Sequence, residues 1–395
     1  MRVLIYSVSA GAGHVRSAEA LLAAFKRFHP EVEAVHVDVM KLVPPAFKKA
    51  YADSYLKLIN SLPSVWGWLY TKTDKIPQTS ALASIRKFIQ RLNTKSILEH
   101  AAQQQPDVIL TTHFLPAEIF SDQAKRRRAR TSNGQAPTLA VVITDHDVHQ
   151  LWVHPQVDRY YTASEEIKYL LAERAIAPEL IKAAGIPCDP VFGELLDEPA
   201  RQRLRIMLGL ADAPSPTLLL NAHGCGLSGA GAANSLGAVV NTVLQKGPPK
   251  TVLIVCGRNA ALKTALTAVL KTPPACVVKL FEYVTNMHEL MGLADLIVTK
   301  PGGLTTSECL ARCLPMVLVS PIPGQEERNA EMLLEQGCAV LARTPAALSF
   351  KLESLLSDPG RLNQMRECCR RTGKPNAAAD IAADVLELVR VQSAK

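Results

Sequence analysis

The sequence predicts an α/β protein built from two doubly wound parallel-sheet halves, and three observations carry that prediction. Apolar strands repeatedly end in a polar cluster and run on into a helix, the grammar of a sheet whose site lies at the carboxyl ends of its strands. Two glycine-bearing loops, Gly11-Ala12-Gly13-His14 and Lys300-Pro301-Gly302-Gly303-Leu304-Thr305-Thr306-Ser307-Glu308, each follow such a strand and open a helix. At 395 residues the chain exceeds a typical single core and fits two domains of about 150 to 200 residues each. A strand-to-helix junction aims backbone N–H groups and the positive end of a helix dipole at one spot, which suits an anionic ligand. Two such junctions predict facing halves with a ligand held between them.

In order along the chain, Val3–Val8 reads as a buried strand, and the helix after the glycine turn repeats Ala18, Leu21, Leu22 and Phe25 at helical spacing. Val35–Val39 is a second strand. Val108–Leu110 and Leu139–Thr144 are further buried strands, ending in Thr111-Thr112-His113 and Thr144-Asp145-His146. Turn residues crowd at Gly185-Ile186-Pro187-Cys188-Asp189-Pro190, before a charged helical stretch from Glu194 to Leu208. A second series follows. Thr217–Leu220 leads into His223-Gly224-Cys225-Gly226, Val252–Cys256 into Gly257-Arg258-Asn259, Leu296–Thr299 into the Pro301 turn, and Met316–Val319 into Pro321-Ile322-Pro323-Gly324-Gln325-Glu326. Ala377–Val391 is an alanine-rich amphipathic helix. The predicted organisation is an N-terminal domain over 1–190, a C-terminal domain over 191–376 and a closing helix over 377–395.

Bulk composition narrows the partners. A formal charge of +8 and a pI near 9.0 favour anions such as phospholipid headgroups or phosphorylated metabolites. Aromatic residues make up only 5%, which argues against a broad stacking surface for nucleic-acid bases. The nine cysteines form no C-x-x-C pair and accompany no zinc-type histidine spacing, so they read as reduced, mostly buried thiols of a cytoplasmic protein. The first residues enter a strand at once, unlike a signal peptide, and no uncharged apolar run reaches the ~18 residues of a membrane span. Residues 44–88 break the strand-helix alternation. They interleave Phe47, Tyr51, Tyr55, Trp66, Trp68, Tyr70 and Phe88 with seven lysines and arginines. That mixture suits a helical insertion lying on an anionic membrane interface, and equally one whose rings pack on their own domain.

The loops hold the candidate chemistry. Gly11–Ser17 lacks the Gly-Lys-Ser/Thr of a phosphate-binding Walker loop, and Arg16 stands where a dinucleotide fingerprint needs its third glycine. Asp38, at the end of the second strand, keeps an NAD-linked alternative open. His14 is a natural general base, or else a helix cap. In the second loop Gly302 and Gly303 permit close backbone approach, Thr305 and Thr306 add hydroxyls at a helix start, and Glu308 falls in the first turn. There it either accepts from ribose hydroxyls or complements the helix dipole. Gln325 and Glu326 could serve the same nucleotide or simply open a helix. Arg258 at a strand tip suits a phosphate or an interdomain ion pair. His113, Asp145 and His149 share the rim with His14, and Trp152 offers a face to an acceptor or packs. Asp145 with His146, His149 and His154 has a metal-like composition but no second ligand set, so no metal is expected.

Taken as an ordered set, these segments resemble the monogalactosyldiacylglycerol synthases and the bacterial processive diacylglycerol glucosyltransferases. The resemblance rests on Gly11–Ala18, Pro106-Asp107-Val108-Ile109, Val142-Ile143-Thr144-Asp145, Cys256-Gly257-Arg258-Asn259, Tyr283-Val284-Thr285-Asn286-Met287, Lys300–Thr305 and Pro323-Gly324-Gln325-Glu326 with Asn329. It runs from about residue 1 to 345, and extends more distantly to the cell-wall N-acetylglucosaminyltransferase that builds lipid II. It implies a GT-B fold of two Rossmann-like domains, the N-terminal one for the acceptor and the C-terminal one for a UDP-hexose, glucose or galactose. It further implies inverting transfer to diacylglycerol with no cofactor or metal, and His14 as the base. Gly13, Arg258, Gly302, Gly303, Leu304, Thr305 and Thr306 are then expected at the donor phosphates. Tyr283 and Val284 would read the uracil, and Glu308 with Gln325 or Glu326 the ribose. His113, Asp145, His149 and Trp152 fall to the acceptor. The 44–88 insertion, with Trp66 and Trp68, becomes a docking surface for anionic phospholipid, placing the protein peripherally on the inner face of the cell membrane. The chain departs from the family pattern in having Gly-Ala-Gly before the first histidine, and His223-Gly224-Cys225-Gly226 where members carry a glycine-richer loop. A polyprenyl or soluble acceptor, or a non-catalytic nucleotide-sugar sensor, are the competing readings.

Overall fold

A computed structural model describes residues 1–9, 12–49, 94–128, 136–222, 232–245 and 248–393, together with positions 67, 72 and 74. Contacts group the chain into two compact units: Met1–Pro190 with Ile322–Arg328 and Asn376–Lys395, and Val191–Pro321 with Asn329–Pro375. Trp66, Trp68, the rest of 50–93 apart from those three positions, and the 223–231 loop lie outside the described residues.

The first unit is a six-stranded sheet of β1 (Arg2–Ser7), β2 (Glu33–Asp38), β3 (Val108–Thr111), β4 (Thr138–Val142), β5 (Arg159–Thr162) and β6 (Ile181–Ala183). Its spatial order is β2-β1-β3-β4-β5-β6 and every pairing is parallel. Parallel strands need crossovers, so both faces are covered and the strands read as continuous apolar runs rather than alternating ones. In β1, Val3 and Ile5 pack with Leu21 and Phe25 of α1 (Ala12–Phe28) and with Ile381 and Val385 of the C-terminal helix (Ala377–Ser393). Leu4 and Tyr6 face the opposite layer, with Ile97 of α2 (Lys95–Gln104), Phe120 of α3 (Phe114–Arg128) and Ile167 of α4 (Glu165–Ala172).

The C-terminal helix is held on this sheet by polar contacts as well. Asp384 Oδ2 accepts from the Tyr161 hydroxyl at 2.9 Å and lies 3.3 Å from Arg159 Nε, and its Oδ1 accepts from Lys182 Nζ at 2.7 Å. The neighbouring carboxylate and burial both hold the Tyr161 phenol protonated, burial being the larger cause. Replacing Asp384 with Ala strands a buried phenol and two cations. The expected loss is about 2 kcal/mol, read as a lower urea midpoint with an unchanged slope.

The second unit repeats the plan with β7 (Thr217–Asn221), β8 (Thr251–Val255), β9 (Val277–Phe281), β10 (Leu296–Thr299), β11 (Met316–Val319) and β12 (Ala339–Ala342), in the order β12-β11-β10-β7-β8-β9, again all parallel. After α5 (Glu198–Met207), the helices of this unit are α6 (Ala232–Gln245), α7 (Ala260–Val269), α8 (Met287–Leu293), α9 (Gly303–Ala311), α10 (Gln325–Glu335), α11 (Pro345–Leu356) and α12 (Pro359–Thr372); the C-terminal helix is α13. By its contacts the first turn of α10 groups with the first unit. Leu220, Ile254 and Val298 meet Val240 of α6, Leu266 of α7 and Leu352 of α11 in one core cluster.

Several boundaries move relative to the sequence reading. The strand expected over Leu139–Thr144 ends at Val142, which leaves Thr144 and Asp145 as loop. The helix expected from Glu194 begins at Glu198, because Asp197 caps it by accepting from Ala200 N–H and Pro199 fits the first turn.

In each sheet the chain works outward from one central strand, then returns to its other side. Reversal falls between β1 and β3 in the first sheet and between β7 and β10 in the second. Loops leaving adjacent strands at such a reversal diverge to opposite faces and open a crevice at the carboxyl ends, which is where doubly wound sheets bind ligands. His14 follows β1 and His113 follows β3; the Pro301-Gly302 turn follows β10.

Candidate active site

At the reversal of the first sheet, three neighbouring strands deliver three polar side chains to one place. His14 is the third residue of α1, inside the helix rather than on the glycine turn where the sequence reading put it. Its Nδ1 lies 2.9 Å from the Thr112 carbonyl oxygen, beyond β3, and 2.9 Å from Thr144 Oγ1, beyond β4. The Thr112 hydroxyl donates to the His14 carbonyl at 2.8 Å, so Thr112 holds both the backbone and the ring of His14. A carbonyl only accepts; Nδ1 therefore carries the ring proton and Nε2 keeps a lone pair. Burial lowers the His14 pKa to about 4, against a smaller rise from the Thr112 contact, so the ring is neutral near pH 7 although the residue is partly accessible.

His113 stands edge-on to His14, with ring centroids 4.6 Å apart. It is buried, and its Nδ1 accepts from Leu115 N–H at 3.0 Å, which caps α3 and leaves its proton on Nε2. Burial and the neighbouring His14 both push its pKa well below the usual imidazole value.

The other rim residues are committed to structure. His149 Nδ1 accepts from Leu151 N–H and caps the short turn Gln150–Trp152. Trp152 is buried in the core, with Phe114 edge-on at 5.9 Å and the His14 and His113 rings at 6.3 and 6.5 Å, so its ring packs beside the histidine pair. Asp145 is buried and accepts from Gln325 Nε2 at 2.7 Å. Glu326 accepts from Ile322 N–H at 2.8 Å and Glu327 from Gly324 N–H at 3.0 Å, so both carboxylates brace the turn before α10, where Gly324 sits at φ +87°. The Asp38 carboxylate, weighed as a ribose acid of an NAD site, accepts from Ser9 N–H and Met40 N–H instead.

In the second unit, Gly302 caps α9 with an ordinary φ of −71°, so room for close approach, not an unusual backbone, is what a glycine supplies there. The Thr306 hydroxyl donates back to the Gly302 and Gly303 carbonyls and the residue is buried, so it is not the phosphate ligand that the sequence suggested. Thr305 is half-buried, and the Leu304 side chain is buried. Glu308 lies one turn deeper than expected, because α9 starts at Gly303; it is buried in the second turn, and no acid occupies the first. Asn329 donates to the Pro301 carbonyl at 3.0 Å and pins the turn from behind. Arg258, exposed at the tip of β8, stacks its guanidinium 5.0 Å from the centre of the exposed Tyr283 ring, and Val284 beside it is half-buried. A cation–π contact of this kind holds the guanidinium in place while its N–H groups stay available. Gly13 is half-buried in the first turn of α1, within the first unit. Among the described residues no group of three histidine, cysteine or acidic side chains is placed to hold a metal ion.

The two threonines on His14 are what sequence reasoning missed. Both sit in polar strand-end clusters that it singled out, but nothing in the sequence says that β1, β3 and β4 lie side by side.

Comparison with known proteins agrees with the fold. The family model for monogalactosyldiacylglycerol (MGDG) synthase matches residues 14–188, and that for the glycosyltransferase family 28 C-terminal domain matches residues 225–384. A processive diacylglycerol beta-glucosyltransferase of Bacillus subtilis is 30% identical over 403 aligned positions, covering 100% of this chain and 97% of its own. Among solved structures, MurG of Acinetobacter baumannii superposes with a TM-score of 0.62 at 15% identity, covering 98% of this chain and 100% of its own. The UDP-GlcNAc 2-epimerase of Neisseria meningitidis, bound to UDP-GlcNAc, gives 0.59 at 14%, covering 98% of this chain and 100% of its own. Two reversal-point sheets, a tautomer-locked histidine and a family match along nearly the whole chain lead to one conclusion: the protein belongs to the GT-B glycosyltransferase family of the monogalactosyldiacylglycerol synthases and processive diacylglycerol glucosyltransferases.

Proposed function

We propose that the protein transfers a hexose from a UDP-sugar to the hydroxyl of diacylglycerol, with inversion, and that His14 is the general base. The observation that carries this reading is the Nδ1 of His14 fixed on the Thr112 carbonyl, which leaves Nε2 bare at the point where the first sheet reverses. In the transfer the acceptor hydroxyl gives its proton to Nε2 as its oxygen bonds to the anomeric carbon. The bond from that carbon to the diphosphate oxygen breaks, and its electron pair leaves with UDP.

The second unit binds the donor. Charge building on the diphosphate meets the N–H groups at the start of α9, the Thr305 hydroxyl and Arg258, a fixed arrangement that needs no reorganisation as the bond breaks. Tyr283 and Val284 flank the uracil. The acceptor makes this a membrane-surface enzyme. No helix among the described residues is long and apolar enough to cross a membrane, and the 44–88 segment supplies the peripheral contact with anionic phospholipid.

The test offers UDP-glucose and UDP-galactose separately, each carrying a labelled sugar, to the purified protein on liposomes that contain diacylglycerol, a polyprenyl phosphate or neither. Label passing into extractable lipid only when diacylglycerol is present supports the reading and identifies the hexose. Label passing to a polyprenyl phosphate but not to diacylglycerol, or UDP bound with no transfer at all, contradicts it.

A further inference from the structure

We infer that Thr144 is a positioning residue for catalysis, acting through His14 as the second acceptor on its Nδ1–H and so steadying the imidazolium that forms when Nε2 takes the acceptor proton. The inference rests on the reading of His14 as the base. Two oxygens stand 2.9 Å from one ring nitrogen, and one of them, the Thr112 carbonyl, has no proton to give. Were Thr144 the donor, Nδ1 would present its lone pair to that carbonyl at hydrogen-bond distance, two negative ends facing each other. The Thr144 hydroxyl therefore accepts, and Nδ1–H is shared between the two oxygens.

This division of labour explains a feature that sets the site apart from a carboxylate-backed histidine. The carboxylate next in sequence, Asp145, accepts from Gln325 Nε2 at 2.7 Å. Among the described residues, the titratable ring that meets His14 is His113, itself buried and held neutral, so His14 gains its proton beside a neutral neighbour. The Thr112 carbonyl fixes which nitrogen carries the resting proton. A carbonyl alone would leave the charged ring with one partner in a buried pocket, and Thr144, 4% exposed, supplies the second. Hydrogen bonds to charged groups are stronger than neutral ones, so this contact tightens as the proton arrives.

The test uses Thr144→Val, which keeps the shape and removes the hydroxyl, and Thr144→Ser, which keeps the hydroxyl. Ring nitrogen NMR shifts of His14, assigned by the loss of its signals in His14→Ala, report tautomer and pKa without reference to activity. The expected wild-type spectrum shows a protonated Nδ1 and a bare Nε2. Thr144→Val retains that tautomer, moves the His14 pKa further down and lowers kcat about tenfold, with UDP affinity and the KM for the UDP-sugar unchanged. Thr144→Ser stays within about twofold of wild type. Wild-type kcat with an unmoved His14 pKa in Thr144→Val, or a wild-type ring protonated on Nε2, overturns the inference. Full turnover in His14→Ala, with the pKa still lowered in Thr144→Val, overturns the base reading while leaving the ring contact standing.

Discussion

Replacing His14 with alanine lowers sugar transfer to diacylglycerol by about 10³-fold while UDP still binds, because general-base catalysis contributes roughly 10² to 10⁴ and the residues proposed to hold the donor are others. Steady-state transfer and UDP affinity together check it. The pattern matters as much as the size. The loss belongs in kcat, since the proton moves only in the transition state and the ring makes no contact with the nucleotide in this reading. Glutamine at the same position, bulky enough to fill the pocket but unable to take a proton, behaves like alanine. A variant that loses UDP binding together with turnover contradicts the assignment, and activity within tenfold of wild type excludes His14 as the base.

The second large effect is on stability in mild acid. Burial holds His14 and His146 at pKa values of about 4, against 6.5 for an exposed imidazole, and holds His113 well below it. Each is folded in the neutral form. As pH falls below about 6.5 the unfolded chain takes up protons that the folded chain refuses, so stability is full above that value and is lost progressively down to about pH 4. At pH 5 the loss amounts to about 2 kcal/mol for each of His14 and His146, and His113 adds to it in the same direction. Urea midpoints at pH 7, 6 and 5 therefore fall steadily, and a midpoint that stays level over that interval contradicts the neutral buried histidines.

Some of this was legible in the chain because the physics is local. Leu296–Thr299 and Met316–Val319 are strands in the structure as they were in the sequence, since a strand covered on both faces is apolar at every position. The strands that escaped notice are short or half-exposed. Ile181-Lys182-Ala183 carries an exposed lysine at its centre, and every residue of Val277–Phe281 is only half-buried at the edge of its sheet, so neither looks like a buried run. His14 stood out as a histidine in a strand-to-helix junction. Its dependence on Thr144, 130 positions away, follows from the order β1-β3-β4, and strand order is a property of packing that local sequence does not express.

The donor turn shows a finer limit. A one-turn error in where α9 begins moved Glu308 from the first turn to the buried second, and backbone bonds claimed the Thr306 hydroxyl that the sequence offered to phosphate. Trp152 and His149 show a related limit, the one packed beside the histidine pair and the other capping a turn. Aromatic and imidazole side chains satisfy cores and caps as readily as ligands, and only their neighbours decide between those uses.

The measurement that tests the whole account most directly is the anomeric configuration of the lipid product made from UDP-glucose and diacylglycerol, read by proton NMR. UDP-glucose carries its sugar in the α configuration, and a base-assisted single displacement at His14 predicts a β-linked glycolipid. An α-linked product, or a purified protein that binds UDP and yields no lipid-linked sugar, contradicts it.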